Sequence, residues 1–357
     1  MTSEKPDTIS ASQLARLAET PDAYVQKLDL FRNAALIIHL DAGRYRAASF
    51  LDDRVLSGTA RGGWFAIPDI VRKSQESAIA RPLRFIFHTG HVGSTLVSRL
   101  LDETGAVLSL REPFTLRQLA TAHDTLGDVS SLISPAHFDA LLACFLRLWS
   151  RGYASTRLSV VKATSTAGRL APTIFASRPD LRAIYLNLQA EAYLATLLAG
   201  ENSYSDLRGH AVERIKRLQS VGATDLAPIY KLSQGELAAM SWLAETCSQH
   251  LAIEQLGGRV LAVDFEHLLG DVPGTLQRVA EHFGVATDGA FLSTIARSPA
   301  LSHYSKAPEH AYSPELRGRI LADSRGRNGL EIRKGLAWLE HTAKGNQRIG
   351  EIFARAG

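Results

Sequence analysis

Only two cysteines occur in 357 residues, Cys144 and Cys247. Each lies in an apolar stretch of helical period, ALLACFLRLW and WLAETCSQHL. They read as buried thiols of a reducing compartment, not as a disulfide or a metal pair. Neither a C-x-x-C nor an H-E-x-x-H spacing is present, and we expect no metal site. No run approaches 18 uncharged apolar residues, which argues against a membrane-spanning helix. The opening residues MTSEKPDTISASQLARL hold no apolar core of a secretion signal, and we expect a cytoplasmic chain. Internal repeats and low-complexity tracts are missing too. So is any long run of one charge: 40 Lys+Arg stand against 36 Asp+Glu, a net charge of +4. That balance suits an anionic ligand and does not call for nucleic acid as a partner.

What is present is enough apolar sequence for a large core, 45% of the residues. Residues 1–81 combine a short helix candidate, SQLARLAE, an apolar run Ala34–Leu40, loop glycines from Gly58 to Gly63, and Trp64–Ile67 ahead of Pro68. Nothing there signals chemistry, and we read it as a small N-terminal α+β extension. From Arg84 short apolar runs alternate with helical patterns. Strands are expected at 85–87, 106–110, 158–162, 183–187 and 260–263. Between them, Ser134 with Pro135 opens one helix, and the capping box Ser233-Gln234-Gly235-Glu236 opens another that runs to Leu256. A further helix follows the last strand and stops at Gly284. Strands separated by helices imply a parallel, helix-flanked α/β sheet. The expected division is an extension over 1–81, an α/β domain over 82–300 and a helical segment over 301–357.

The most informative stretch is Phe85-Ile86-Phe87-His88-Thr89-Gly90-His91-Val92-Gly93-Ser94-Thr95-Leu96. It runs from strand through a Gly-x-x-Gly turn to a helix opened by two hydroxyl residues. Such a turn leaves backbone N–H groups unpaired at the positive end of a helix, a nest for phosphate or sulfate. The alternative is an ordinary strand-to-helix turn with a Ser/Thr cap. No lysine follows Gly93, so the loop is not of the ATP-binding G-x-x-x-x-G-K-[ST] type. A G-x-S-x-G nucleophile elbow is also missing.

His91-Val92-Gly93-Ser94-Thr95 resembles the 5′-phosphosulfate loop of sulfotransferases, K-S-G-T-T or R-S-G-T-T, with histidine in place of the basic residue. Arg259-Val260-Leu261-Ala262-Val263-Asp264-Phe265-Glu266-His267-Leu268-Leu269, followed by a helix over 273–283 and Gly284, is similar to a second segment of that family, V-x-Y-E-D-L-L with its F-L-G ending, and the preceding Trp242 helix fits it too. The resemblance covers roughly residues 82–290. It implies a P-loop-type α/β fold, no metal, and a donor, 3′-phosphoadenosine 5′-phosphosulfate, held by Gly90, His91, Val92, Gly93, Ser94 and Thr95. The acceptor would be a small-molecule or glycan hydroxyl.

Glu112 follows the second strand at a spacing similar to that of the catalytic glutamate in the tyrosyl-protein type of sulfotransferase, and is the candidate base. An exposed glutamate paired with Arg111 is the alternative. Lys162 ends the third strand, at the edge where a side chain faces the crevice; it is either a donor contact or a solvated lysine. With His91 these are the candidate catalytic residues. For the 3′-phosphate the family uses an Arg and, eight residues on, a Ser. Thr196 fits the Ser, but Leu188 and Gln189 stand where the Arg belongs. Arg333-Lys334-Gly335 echoes the family's late R-K-G segment and is the candidate replacement. Two other functions stay open: a P-loop small-molecule kinase, and a non-catalytic anion- or partner-binding protein of this fold.

Overall fold

The computed structural model of the chain describes residues 13–56, 62–200, 203–287 and 289–356. Three N-terminal strands, β1 (Ala23–Asp29), β2 (Ala34–His39) and β3 (Gly62–Ala66), pair antiparallel in that order. The apolar run expected from Ala34 is β2. Ser12 and Gly58, from the expected first helix and loop, lie outside the described residues.

Five further strands make a second sheet. They are β4 (Leu83–His88), β5 (Val107–Arg111), β6 (Leu158–Lys162), β7 (Arg182–Asn187) and β8 (Val260–Asp264). All pairings are parallel, in the order β5-β6-β4-β7-β8. β5 and β6 are buried at every residue, as strands covered on both faces must be. Each coincides with an expected strand to within two residues.

The two faces of this sheet bury different cores. One joins Ile86, Val160 and Ile184 to the helices Ser94–Asp102 and Gln234–Leu256, and to Trp338, Leu339 and Ile352 of the C-terminal helices. The other joins Phe85, Phe87, Val161 and Tyr185 to the helix Pro135–Trp149 and to Tyr24, Ile37 and Tyr45 of the N-terminal part. Successive residues of β4 thus enter opposite cores, the period of two that a strand imposes. Chain segments before and after the sheet share their apolar cores with it.

Helix ends follow the expected local chemistry. The Ser134 hydroxyl accepts the His137 N–H, and Ser233 with Glu236 completes a capping box. Gly284, at φ +76°, closes the helix Val272–Phe283. The last part of the chain is helical, Pro314–Lys344 and Gln347–Ala356, but a two-stranded hairpin precedes it. Its strands, β9 (His303–Tyr304) and β10 (Ala307–Ala311), are too short to show an alternating pattern. Cys144 and Cys247 are both buried and free. Among the described residues no helix is long and apolar enough to cross a membrane.

Candidate functional site

β4 is the middle strand of the sheet, and the chain leaves it with an abrupt turn. Thr89 still donates to the Leu186 carbonyl, at 3.0 Å. Gly90, His91 and Gly93 then take positive φ, at 108°, 54° and 68°. For His91 this is a conformation that non-glycine residues seldom adopt. The helix Ser94–Asp102 begins with Gly93 as its cap, and glycine has no side chain to satisfy the first turn. The first helical bond runs from the Val97 N–H to the Gly93 carbonyl. Among the described residues, the backbone amides from Gly90 to Leu96 donate to no protein acceptor. The Thr89 and Thr95 hydroxyls, both buried, also lack a partner, as does Nδ1 of the buried His88. Buried polar groups are nearly always paired, so this cluster has the chemistry of a ligand site. Its donors and the helix dipole select an anion.

The glycine at 93 has a further cause. A Cβ there would overlap the ring of Phe265, which follows β8. The two segments that carried the family resemblance therefore meet in space: the aromatic residue after β8 packs beneath the loop after β4.

The loop forms one wall of a cavity of about 450 Å³. His91, Val92, Gly93, Ser94 and Thr95 line it, and Thr196 lies on the helix Ala190–Leu198 that faces them. The Thr196 hydroxyl donates to the Ala192 carbonyl at 2.7 Å, leaving its lone pairs to the cavity. The remaining wall comes from the C-terminal part, with Tyr304, Lys306, Tyr312 and Arg317. Gln189 does not line the cavity; it is exposed and caps the helix after β7. Leu188 is buried, and its carbonyl accepts the Trp242 indole N–H at 2.8 Å, so position 188 serves the core. Arg333 and Lys334 do not reach the cavity either. They are exposed on the helix Pro314–Lys344, 16 residues beyond Arg317, or about 24 Å along the helix axis. Gly335 is a helix-crossing residue: a Cβ there would stand 2.5 Å from the Gly235 carbonyl oxygen. The cations beside the cavity are instead Lys306 and Arg317, and Arg317 already holds Glu266 at 2.5 and 3.1 Å.

Beside the loop, the ends of β5 and β6 bring Glu112 and Lys162 together. Register places Arg111 opposite Lys162, and the Glu112 N–H donates to the Lys162 carbonyl at 2.6 Å. Lys162 is wholly buried, and its ammonium pairs with Glu112 Oε1. The Thr164 hydroxyl donates to Oε2 at 3.3 Å. Glu112 itself has φ +51°, a strained backbone of the kind that functional sites hold. Burial pushes the Glu112 carboxyl up, but Lys162 and Lys306 outweigh it and hold it below the usual range. Burial dominates at Lys162 and pushes the amine down to about 8 against the pull of Glu112. Near pH 7 the site therefore holds a carboxylate against an ammonium.

Neither bland alternative for these residues survives. Lys162 is not solvated. Arg111 is not the partner of Glu112: it is buried and bound to Asp102 at 2.5 Å and to the Tyr45 and Ala48 carbonyls at 3.0 Å.

His91 is exposed to solvent at the cavity. Crowding by protein atoms and the Lys306 charge both push its imidazole down, toward about 3. Solvent contact weakens the first of these, yet both act in one direction, so the ring is neutral at pH 7. A neutral ring can offer a hydrogen bond but no charge. His88 is neutral for the same reasons, burial first, and its Nε2 lies 2.9 Å from the Ala163 carbonyl.

Two site residues had no signal in the sequence. Phe50, from the N-terminal extension, stacks on Arg54 at 3.4 Å and lies 6.0 Å from the ammonium groups of both Lys162 and Lys306. Lys306, from the β9–β10 turn, lines the cavity and acts electrostatically on His88, His91, Glu112 and Lys162. Both come from segments outside the βαβ pattern, and no spacing rule marks them.

No protein-family model matches the chain, and no curated protein matches it. Among solved structures it is similar to a sulfotransferase from Mycobacterium avium, at 14% identity over 91% of this chain and 98% of that one, TM-score 0.39. It is also similar to the sulfotransferase domain from the Synechococcus PCC 7002 olefin synthase, at 15% identity over 69% and 88%, TM-score 0.39. A third is retinol dehydratase, solved in a complex with retinol and PAP, at 12% identity over 80% and 90%, TM-score 0.35. These values are too low to transfer an activity, so the chemistry rests on the site itself.

Proposed function

We propose that the chain is a sulfotransferase, moving a sulfuryl group from 3′-phosphoadenosine 5′-phosphosulfate to a hydroxyl of a small-molecule or glycan acceptor. The observation that carries this reading is the run of unpaired amides from Gly90 to Leu96, which lines a nucleotide-sized cavity from His91 onward, with the orphaned Thr89 and Thr95 hydroxyls in the same turn. The amides and the Ser94 and Thr95 hydroxyls would hold the 5′-phosphosulfate. Thr196 would turn its hydroxyl from the Ala192 carbonyl to donate a hydrogen bond to the 3′-phosphate. Tyr304 and Tyr312, with ring centres 6.5 Å apart, form an aromatic wall suited to a base.

In the reaction the acceptor oxygen bonds to sulfur as the bond from sulfur to the phosphate oxygen breaks. The acceptor's proton goes to Glu112, and the electron pair of the broken bond goes to the phosphate, where loop amides stabilise the charge. Lys162 keeps Glu112 ionised, so that it starts the reaction as a base. His91 donates a neutral hydrogen bond at the edge of the loop.

Binding tests the reading. Adenosine 3′,5′-bisphosphate should raise the melting temperature with the logarithm of its concentration above Kd, and more than adenosine 5′-monophosphate or ATP with Mg²⁺ at equal concentration. Equal shifts with both adenosine phosphates would remove the 3′-phosphate site. A larger shift with ATP and Mg²⁺ would favour phosphoryl transfer.

A further inference from the structure

Lys306 is a cation at the cavity. It lies in the β9–β10 turn, half-buried, and lines the cavity beside His91. Among the described residues its ammonium makes no hydrogen bond and no ion pair. Lys162 is close enough to be pushed down by it, and Arg54, which shares the Phe50 ring with it, is already paired with Asp52. Glu112 is already paired with Lys162. Three cations, Lys306, Lys162 and Arg54, thus stand with two carboxylates, and the charge left over is that of Lys306, which a bound anion would offset.

The turn that carries Lys306 is held in place. Arg99, on the helix that opens at the loop, donates from Nε to the Ser305 carbonyl at 2.8 Å. Its other nitrogens donate to the Arg46 and Ala47 carbonyls and, at 2.9 Å, to the Ser49 hydroxyl. One arginine thus fixes the residue before Lys306 against both the loop helix and the segment that presents Phe50.

We propose that Lys306 is a catalytic residue, supplying from the C-terminal hairpin the positive charge that the loop itself lacks at His91, and contacting the phosphate oxygen that leaves sulfur. This rests on the function proposed above. As the sulfur–oxygen bond breaks, its electron pair stays on that oxygen, and the ammonium meets the growing charge with a hydrogen bond. Nothing is oxidised or reduced, and the acceptor's proton goes to Glu112 as before. A charge-assisted bond of this kind is stronger than those from the neutral amides.

The test compares the wild type, Lys306→Met and Lys306→Arg by calorimetry with adenosine 3′,5′-bisphosphate and adenosine 3′-monophosphate, which differ only in the 5′-phosphate. Wild type should prefer the bisphosphate. Lys306→Met should shrink that preference by about 10–100-fold, and Lys306→Arg should restore much of it. With the phosphosulfate donor, Lys306→Met should lower kcat more than it raises KM. Among the described residues the Lys306 ammonium makes no hydrogen bond or ion pair, so the melting temperature of the free variant should stay near the wild-type value. A Lys306→Met protein that keeps the wild-type preference and kcat overturns the role of Lys306 alone. A wild type that binds neither nucleotide overturns the function it rests on.

Discussion

Glu112 and Lys162 face each other with the lysine wholly buried and the glutamate nearly so, and removing one leaves the other charged in the interior. Breaking a buried pair in this way typically costs about 3–5 kcal/mol, whereas removing both charges is far milder. Glu112→Gln should therefore lower stability, and adding Lys162→Met should recover most of the loss in denaturant unfolding. Turnover separates structure from chemistry. It should remain about 10²–10⁴-fold below wild type in the stable double variant, because a general base is still missing. Wild-type turnover in that protein would assign the proton to another group. The same residue scale explains why Gly93 is a poor probe of ligand binding. Its substitution meets Phe265 at a left-handed backbone position, so loss of binding would follow from a disrupted loop.

At the scale of elements, the long helix Pro314–Lys344 does two separate jobs along its length. Its first turns bring Arg317, Ile320 and Leu321 to the cavity. Farther on it crosses the helix Gln234–Leu256, where Gly235 and Gly335 let the two backbones approach. Arg333 lies on this second stretch, exposed. Arg333→Ala should leave the affinity for adenosine 3′,5′-bisphosphate within twofold of wild type in calorimetry. Gly335→Ala should lower stability by about 1–3 kcal/mol through overpacking. A tenfold loss of affinity in Arg333→Ala would return the R-K-G segment to the site.

At the scale of the whole molecule, proton uptake links the buried site to stability. Folded Lys162 releases its proton near pH 8, whereas an unfolded lysine does so near 10.4. Between these values the unfolded chain binds more protons, so this group makes stability rise with pH. Chemical denaturation should show the wild type gaining stability relative to Lys162→Met from pH 8 to 10, with no such gain from pH 6 to 7. Turnover should fall over the upper interval, because a neutral amine no longer balances Glu112. Loss of relative stability there would mean that Lys162 is not the titrating group.

Local patterns were enough for every strand of the parallel sheet, the helix caps at Ser134 and Ser233, the stop at Gly284 and the Gly-x-x-Gly turn. Each depends on residues a few positions apart, whose burial period and capping chemistry are visible in the chain itself. Glu112 and Lys162 could be singled out as strand-end residues, because strand ends of a parallel sheet face the crevice. Their pairing was hidden, since it needs β5 and β6 side by side in one register. The same limit applies to the strand order, to Phe265 beneath Gly93, and to Arg111 turned away toward Asp102. It applies most to Phe50 and Lys306, 256 positions apart in the chain and 6.0 Å apart in space. A sequence determines what each segment tends to become through short-range sterics and hydrophobic period. Which distant side chains share a site is decided only when two cores, one on each face of the sheet, fix those segments against it.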